Sequence, residues 1–306
     1  MGTKINYVDE TWNPVVGCTK CSPGCDNCYA EKMAARLAAM ECANIKEFAT
    51  PTKRQRRYVD VVKLWHDPKI QKTYFKGWNG KVYCDEKALD KPLHWRQPRR
   101  ILVPSMGDLF HEKVPFEFIH EVWDTMKKCP QHTFLVLTKR VERMSEIVGR
   151  IYKLEALGHA KGFWNHIHLG VTICNQEEAD EKIPIGLQIP GFDWISIEPM
   201  LGEINLEYIK DYTHPNQFSS YDRIYSLSGE KSILGHKMSC NKIDWVVVGC
   251  EKIGQKPGRE CKPEWIKSIV DQCKAAGTKC FVKQMEVNGK VVHDLAKMPA
   301  WAVQEL

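Results

Sequence analysis

His132-Thr133-Phe134-Leu135-Val136-Leu137-Thr138-Lys139-Arg140 leads directly into a helical pattern from Val141 to Leu157. The apolar run lacks the apolar/polar alternation of a one-sided sheet, so it reads as a strand covered on both faces. Five more runs share this character: Ile101-Leu102-Val103-Pro104, His166 to Thr172, Trp194-Ile195-Ser196-Ile197, Trp245-Val246-Val247-Val248 and Cys280-Phe281-Val282. Helical patterns fall between them, at Phe116 to Lys127, Glu177 to Lys182 and Pro263 to Ala275, where Pro263 suits a first turn. Strand–helix alternation implies a parallel sheet with right-handed crossovers. The expected fold class is therefore α/β, a full or partial (β/α) barrel, with an open doubly wound sheet as the runner-up.

In either form, chemistry belongs at the carboxyl ends of the strands. Each expected end is polar: Ser105-Met106-Gly107-Asp108, Thr138-Lys139-Arg140, Thr172 with Asn175, Glu198-Pro199, Gly249-Cys250-Glu251 and Lys283-Gln284. Two stretches depart from the alternation, 43–100 and 208–242. They read as insertions or lids over the mouth of one barrel domain spanning 1–306. The first carries a basic patch, Lys53-Arg54-Gln55-Arg56-Arg57, with Trp65, Tyr74, Phe75, Trp78 and Trp95 after it, suited to following a phosphate backbone and stacking bases.

Composition narrows the class. The chain has 306 residues, 43% hydrophobic and 27% charged, which excludes a mainly disordered protein. Its 44 Lys and Arg against 38 Asp and Glu leave a formal charge of +6, compatible with a polyanionic partner. No run approaches the ~18 apolar residues of a membrane span. Met1 to Ile5 has no apolar core of signal-peptide length, so a cytoplasmic setting is expected. There, the 13 cysteines should be reduced, and a tight cluster of them points to metal rather than disulfides.

Such a cluster exists: Trp12-Asn13-Pro14-Val15-Val16-Gly17-Cys18-Thr19-Lys20-Cys21-Ser22-Pro23-Gly24-Cys25-Asp26-Asn27-Cys28-Tyr29-Ala30. The loop is rich in Gly, Pro, Ser and Asn, and a run of strong helix formers begins at Tyr29. The amino end of that helix would turn backbone N–H groups and a positive dipole toward thiolates. Three readings stand: an iron–sulfur cluster on cysteine thiolates, a four-cysteine structural zinc site, or incidental cysteines. Ribbon-type zinc sites separate their C-x2-C pairs by roughly 12 to 20 residues. Here only Ser22, Pro23 and Gly24 intervene, which favours a loop wrapped around a cluster.

The Trp-Asn-Pro-x-x-Gly-Cys start and the Ser-Pro-Gly-Cys-x-x-Cys-Tyr-Ala centre resemble a three-cysteine-motif family of phage and prophage proteins. That family is regarded as a divergent branch of the radical S-adenosylmethionine superfamily, with the spacing C-x6-C-x2-C. The resemblance extends over Ser105 to His111, Leu137 to Arg140, Ile195 to Gly202, Asp244 to Glu251 and Phe281 to Gln284. Cys18, Cys25 and Cys28 match the three cysteines. Two positions depart from the pattern. Cys21 is an additional thiol, able to close the cluster or to permit zinc. Cys250 stands where a second glycine is expected.

The resemblance implies a barrel of the radical S-adenosylmethionine type and a [4Fe–4S] cluster on Cys18, Cys25 and Cys28. S-adenosyl-L-methionine would occupy the remaining iron, and an electron from an external donor would yield a 5′-deoxyadenosyl radical. It implies cofactor-binding roles for Ser105, Asp108, Thr138, Glu198 and Glu251, with helix capping as the plain reading of Asp108. Lys139, Glu198 and Cys250 are the candidate catalytic residues. Lys139 and Arg140 suit a carboxylate or phosphate, Lys283 and Gln284 are weaker candidates, and Cys174 or Cys250 suit hydrogen-atom donation. The phage setting points to modification or rearrangement of a DNA base or nucleotide. The alternative function is a non-catalytic zinc- or cluster-binding protein that binds nucleic acid.

Overall fold

The computed structural model describes residues 3, 5–43, 57–67, 72–157, 164–210, 223–233, 236–254 and 256–306. Eight strands form its main sheet: β1 (Glu10–Thr11), β2 (Arg100–Val103), β3 (Thr133–Thr138), β4 (Ile167–Thr172), β5 (Phe192–Ile197), β6 (Trp245–Gly249), β7 (Lys279–Val287) and β8 (Lys290–Val292). Their order across the sheet is their order along the chain. β1 through β7 pair in parallel, and β8 turns back antiparallel on β7. A doubly wound sheet reverses its strand order at a switch point. This one does not, so the runner-up falls and the sheet is a curled, open half-barrel.

The helices are α1 (Tyr29–Ala43), α2 (Phe116–Lys127), α3 (Val141–Leu157), α4 (Gln176–Gly186) and α5 (Pro263–Ala276). α2 and α3 have the expected bounds. α4 is longer than the expected Glu177 to Lys182: Asn175 Oδ1 caps its start by accepting from the Glu178 N–H at 2.9 Å. β1 and β8 were not expected, being too short to carry a periodic signal.

Alternate strand residues explain the missing polar positions. Ile101, Val103, Phe134, Val136, Val246 and Val248 pack toward the helices, against Ile119, Trp123, Met144, Val148, Ile266 and Ile269. Their neighbours Leu102, Leu135, Val247 and Phe281 face the other way, into a second cluster with Tyr7 and Trp194. Both faces are dry, so neither alternates with polar residues.

The stretch 43–100 contributes an antiparallel hairpin of Val62–Asp67 and Lys72–Trp78. Most of the basic patch, Lys53 to Arg56, lies outside the described residues. In 208–242, Ile209–Lys210, Arg223–Tyr225, Glu230–Ile233 and His236–Ser239 form a four-stranded antiparallel sheet. Among the described residues no helix is long and apolar enough to cross a membrane.

Candidate functional site

The Trp-Asn-Pro-x-x-Gly segment bolts the cysteine loop to the end of β2. Asn13 Oδ1 accepts from the backbone N–H groups of Ser105 (2.6 Å) and Met106 (2.9 Å) and from the Ser105 hydroxyl (3.2 Å). Trp12 is fully buried and donates its indole N–H to the Ala88 carbonyl at 2.6 Å. Gly17 bridges Gly107 in parallel fashion. A Cβ on Gly17, whose φ is +98°, would lie 2.5 Å from the Lys81 carbonyl, and one on Gly107 would lie 2.7 Å from that of Val15. Only glycine permits this approach.

The loop then delivers four thiols beside the strand ends: Cys18 and Cys28 half-buried, Cys25 buried, Cys21 exposed. Cys21 and Cys25 shift each other's pKa in opposite directions. The Cys21 thiol donates to Cys25 and lowers its pKa to about 5 against the opposing effect of burial, with Lys139 and the N–H groups of Cys21 and Ser22 helping. Cys21 is correspondingly pushed up. Burial, reinforced by Asp108, raises Cys18 to about 12 despite Arg140. The thiolate is the reactive form. In metal-free protein, iodoacetamide should therefore modify Cys25 at a rate that is flat above pH 6 and falls as the pH drops through about 5. Cys21→Ala removes the donor and should slow that reaction at pH 6 by roughly tenfold. An unchanged rate at pH 6 would contradict Cys21 as the cause of the lowered Cys25 pKa.

Thr138, Lys139 and Arg140 close the loop from the end of β3. Asp108, buried at the end of β2, accepts from Thr138 Oγ1 (2.7 Å) and the Phe110 N–H (3.0 Å) on Oδ1. Its Oδ2 accepts from Arg140 Nη1 (3.0 Å) and the Lys139 N–H (3.3 Å). The carboxylate is thus filled by protein partners and caps the loop to Phe110, not a helix, since α2 starts after Pro115. Lys139 forms no ion pair with a carboxylate among the described residues. Burial lowers its pKa, and the fields of Cys25, Cys174, Cys28 and Asp108 more than reverse this, so it is raised.

Glu251, past the end of β6, ties the far side. It accepts from Asn27 Nδ2 (2.9 Å), the Arg259 N–H (2.9 Å) and both the Nε and Nη2 of Arg259. Arg259 continues to the Pro23 carbonyl (2.9 Å) and Asp26 (3.3 Å) inside the cysteine loop. These bonds outweigh burial and hold Glu251 below its usual range. Glu198, at the end of β5, accepts from Lys283 Nζ on both oxygens (2.6 and 2.7 Å) and from Gln284 Nε2 on Oε1 (3.2 Å). Gln284 also holds the Cys250 carbonyl at 2.6 Å. The Cys250 thiol itself packs in the core and is raised to about 12, chiefly by burial. Cys174, a candidate hydrogen-atom donor in sequence, is buried and touches the loop. Ser22 Oγ lies 3.8 Å from its sulfur, and a Cβ on Gly24 would run into that sulfur. Burial raises it to about 11.

Sequence reasoning missed Asn13, Thr19, Asn27 and Arg259. Asn13 had a signal, its position in Trp-Asn-Pro. Arg259 had none: its partners in the cysteine loop, Pro23 and Asp26, lie more than 230 residues away.

Among the described residues no three His, Cys, Asp or Glu side chains surround one point at ligating positions. What fits a cluster is the chemistry of the seat: soft thiol donors on one Gly/Pro loop, the Cys25 thiol lowered in pKa, with Lys139 as surplus positive charge and each nearby carboxylate matched to its own cation. No curated protein and no solved structure matches the chain. Residues 2–298 match a family described as protein of unknown function (DUF5131), and the chain belongs to that family.

Proposed function

We propose that the protein is a radical S-adenosylmethionine enzyme acting on a nucleic-acid or nucleotide substrate. The observation that carries this reading is the Cys18/Cys25/Cys28 loop seated at the carboxyl rim of a parallel half-barrel, beside Lys139. Cys18, Cys25 and Cys28 would hold a [4Fe–4S] cluster that, with S-adenosylmethionine and an external electron donor, supplies a 5′-deoxyadenosyl radical. The chain's part is to hold and shield that chemistry. Asn13 and the Gly17/Gly107 contact anchor the loop's entry, Arg259 anchors its middle to Glu251, and Lys139 offsets its negative charge. The Glu198–Lys283 pair and Thr138 stand on the same carboxyl rim, on alternate strands β3, β5 and β7, where substrate and S-adenosylmethionine groups are to be expected.

Anaerobic reconstitution with iron and sulfide, reduction, and measurement of 5′-deoxyadenosine from S-adenosylmethionine test the reading. Stoichiometric zinc with no iron uptake would sink it. The presence of a fourth free thiol, Cys21, on the same loop favours one second reading, a four-thiolate zinc site in a protein that only binds nucleic acid.

The hairpin supports a nucleic-acid partner. Trp65 and Tyr74 are cross-strand neighbours and exposed, Lys76 Nζ lies 5.7 Å from the Trp65 ring, and Lys63 is exposed beside them. Base stacking on such rings is worth about 1–3 kcal/mol per base. Trp65→Ala with Tyr74→Ala should weaken binding of a labelled single-stranded oligonucleotide at least about tenfold by anisotropy. Undiminished binding would remove the hairpin from the substrate path.

A further inference from the structure

In sequence, Arg140 suits a carboxylate or phosphate, with the charged start of a helix as its plain reading. In the fold its side chain is 6% exposed and every N–H has an acceptor. Nε donates to Glu112 Oε1 at 2.9 Å. Nη1 donates to Asp108 Oδ2 at 3.0 Å and to the Cys18 sulfur at 3.5 Å. Nη2 donates to the Thr19 carbonyl at 3.0 Å and the Thr19 hydroxyl at 2.9 Å. A guanidinium has five N–H donors, and these are five acceptors. Arg140 has none left for a substrate phosphate or carboxylate.

Three of the five bonds go to Cys18-Thr19, and a histidine braces the same place. His111 Nδ1 accepts from the Lys113 N–H at 3.1 Å, so its proton is on Nε2, which lies 2.9 Å from the Thr19 hydroxyl oxygen. Asp108 and Glu112 orient the fork from behind. Among the four thiols of the loop, Arg140 donates a hydrogen bond only to Cys18.

We propose that Arg140 is a positioning residue that fixes Cys18 and, through its N–H bond to the Cys18 sulfur, makes a cluster held by Cys18, Cys25 and Cys28 easier to reduce. The inference rests on the cluster reading above. One electron from an external one-electron carrier converts [4Fe–4S]2+ to [4Fe–4S]+ with no proton moved, so the site gains one negative charge. A hydrogen-bond donor on a ligand sulfur stabilises the more negative state, and a charged donor does so more strongly. The planar fork is what allows one side chain to hold the Thr19 backbone and the sulfur together, which an ammonium does not reproduce.

The test is an EPR-monitored redox titration of full-length reconstituted protein, with iron and sulfide assayed in each sample and dithionite as donor. Arg140→Gln should keep an iron–sulfur signal and lower the equilibrium constant for reduction about tenfold, which is 59 mV for a one-electron couple. Arg140→Lys, which keeps the charge, should fall between Arg140→Gln and the unaltered protein. If Arg140→Gln takes up no iron, the titration is decided on Arg140→Lys. Full iron with an unshifted midpoint in both variants, or reduced iron loading with an unshifted midpoint, overturns the proposal and leaves the cluster reading standing. Absence of any cluster from the unaltered protein defeats the cluster reading itself, and the Arg140 assignment with it.

Discussion

Cys18→Ala, Cys25→Ala and Cys28→Ala are each expected to abolish iron uptake by the reconstituted protein, while Cys21→Ala retains it. The cluster requires about four irons per chain on three thiolates, and two thiolates leave a second iron open to water. The four thiols differ in the fold. Cys18 is held by Arg140, Cys25 and Cys28 lie in the field of Lys139, and Cys21 alone is exposed, with Cys25 as its partner. Cys21 therefore acts on Cys25 before metal binds and is dispensable once Cys25 ligates iron. Iron and sulfide assays and 5′-deoxyadenosine formation read the outcome. Equal loss in all four variants, with zinc bound to the unaltered protein, would instead identify a four-thiolate zinc site.

The largest expected effect on stability is that of Asp108→Ala. Asp108 and Arg140 are 5% and 6% exposed, so removing the carboxylate leaves a guanidinium buried with one of its two acidic partners gone. Breaking a buried pair from one side costs about 3–5 kcal/mol. Glu112 and Thr19 still hold Arg140, which places the expected loss near the low end, about 3 kcal/mol. Asp108→Asn keeps an acceptor for Thr138 and the Phe110 N–H and should cost less, about 1–2 kcal/mol. Urea unfolding of the two variants against the unaltered protein measures this. A loss under about 0.5 kcal/mol for Asp108→Ala, the level of an ordinary surface change, would show that Asp108 is not the hub that joins β2, β3 and the cysteine loop.

The parallel strands were readable because burial on both faces leaves a mark in local composition. Leu102 and Leu135 point one way, Ile101 and Phe134 the other, and all are apolar. The α2 and α3 helices were readable to the residue because their apolar faces recur at helical spacing over three turns or more. The two-residue β1 left no such mark, and α4 was underestimated because its cap, Asn175, and its interior Pro184 obscure the ends. Within the site, the thiols, Lys139 and Glu198 stood out by residue type and by position after a strand. Asp108 and Glu251 stood out equally well. Their partners did not: Thr138, Lys139 and Arg140 fill one carboxylate, and Asn27 and Arg259 fill the other.

The sequence by itself determined the α/β alternation, the polar strand ends and the concentration of four thiols on one Gly/Pro loop, since these depend on neighbours within a few residues. The tertiary structure decided that the sheet is an open half-barrel and that the cysteine loop is locked by Asn13, Arg140 and Arg259. It also decided that Cys174 meets the loop. Those pairings join residues 92 to 236 positions apart. They exist only because parallel pairing sets successive strand ends side by side, and no local periodicity encodes which side chain a strand end will meet there.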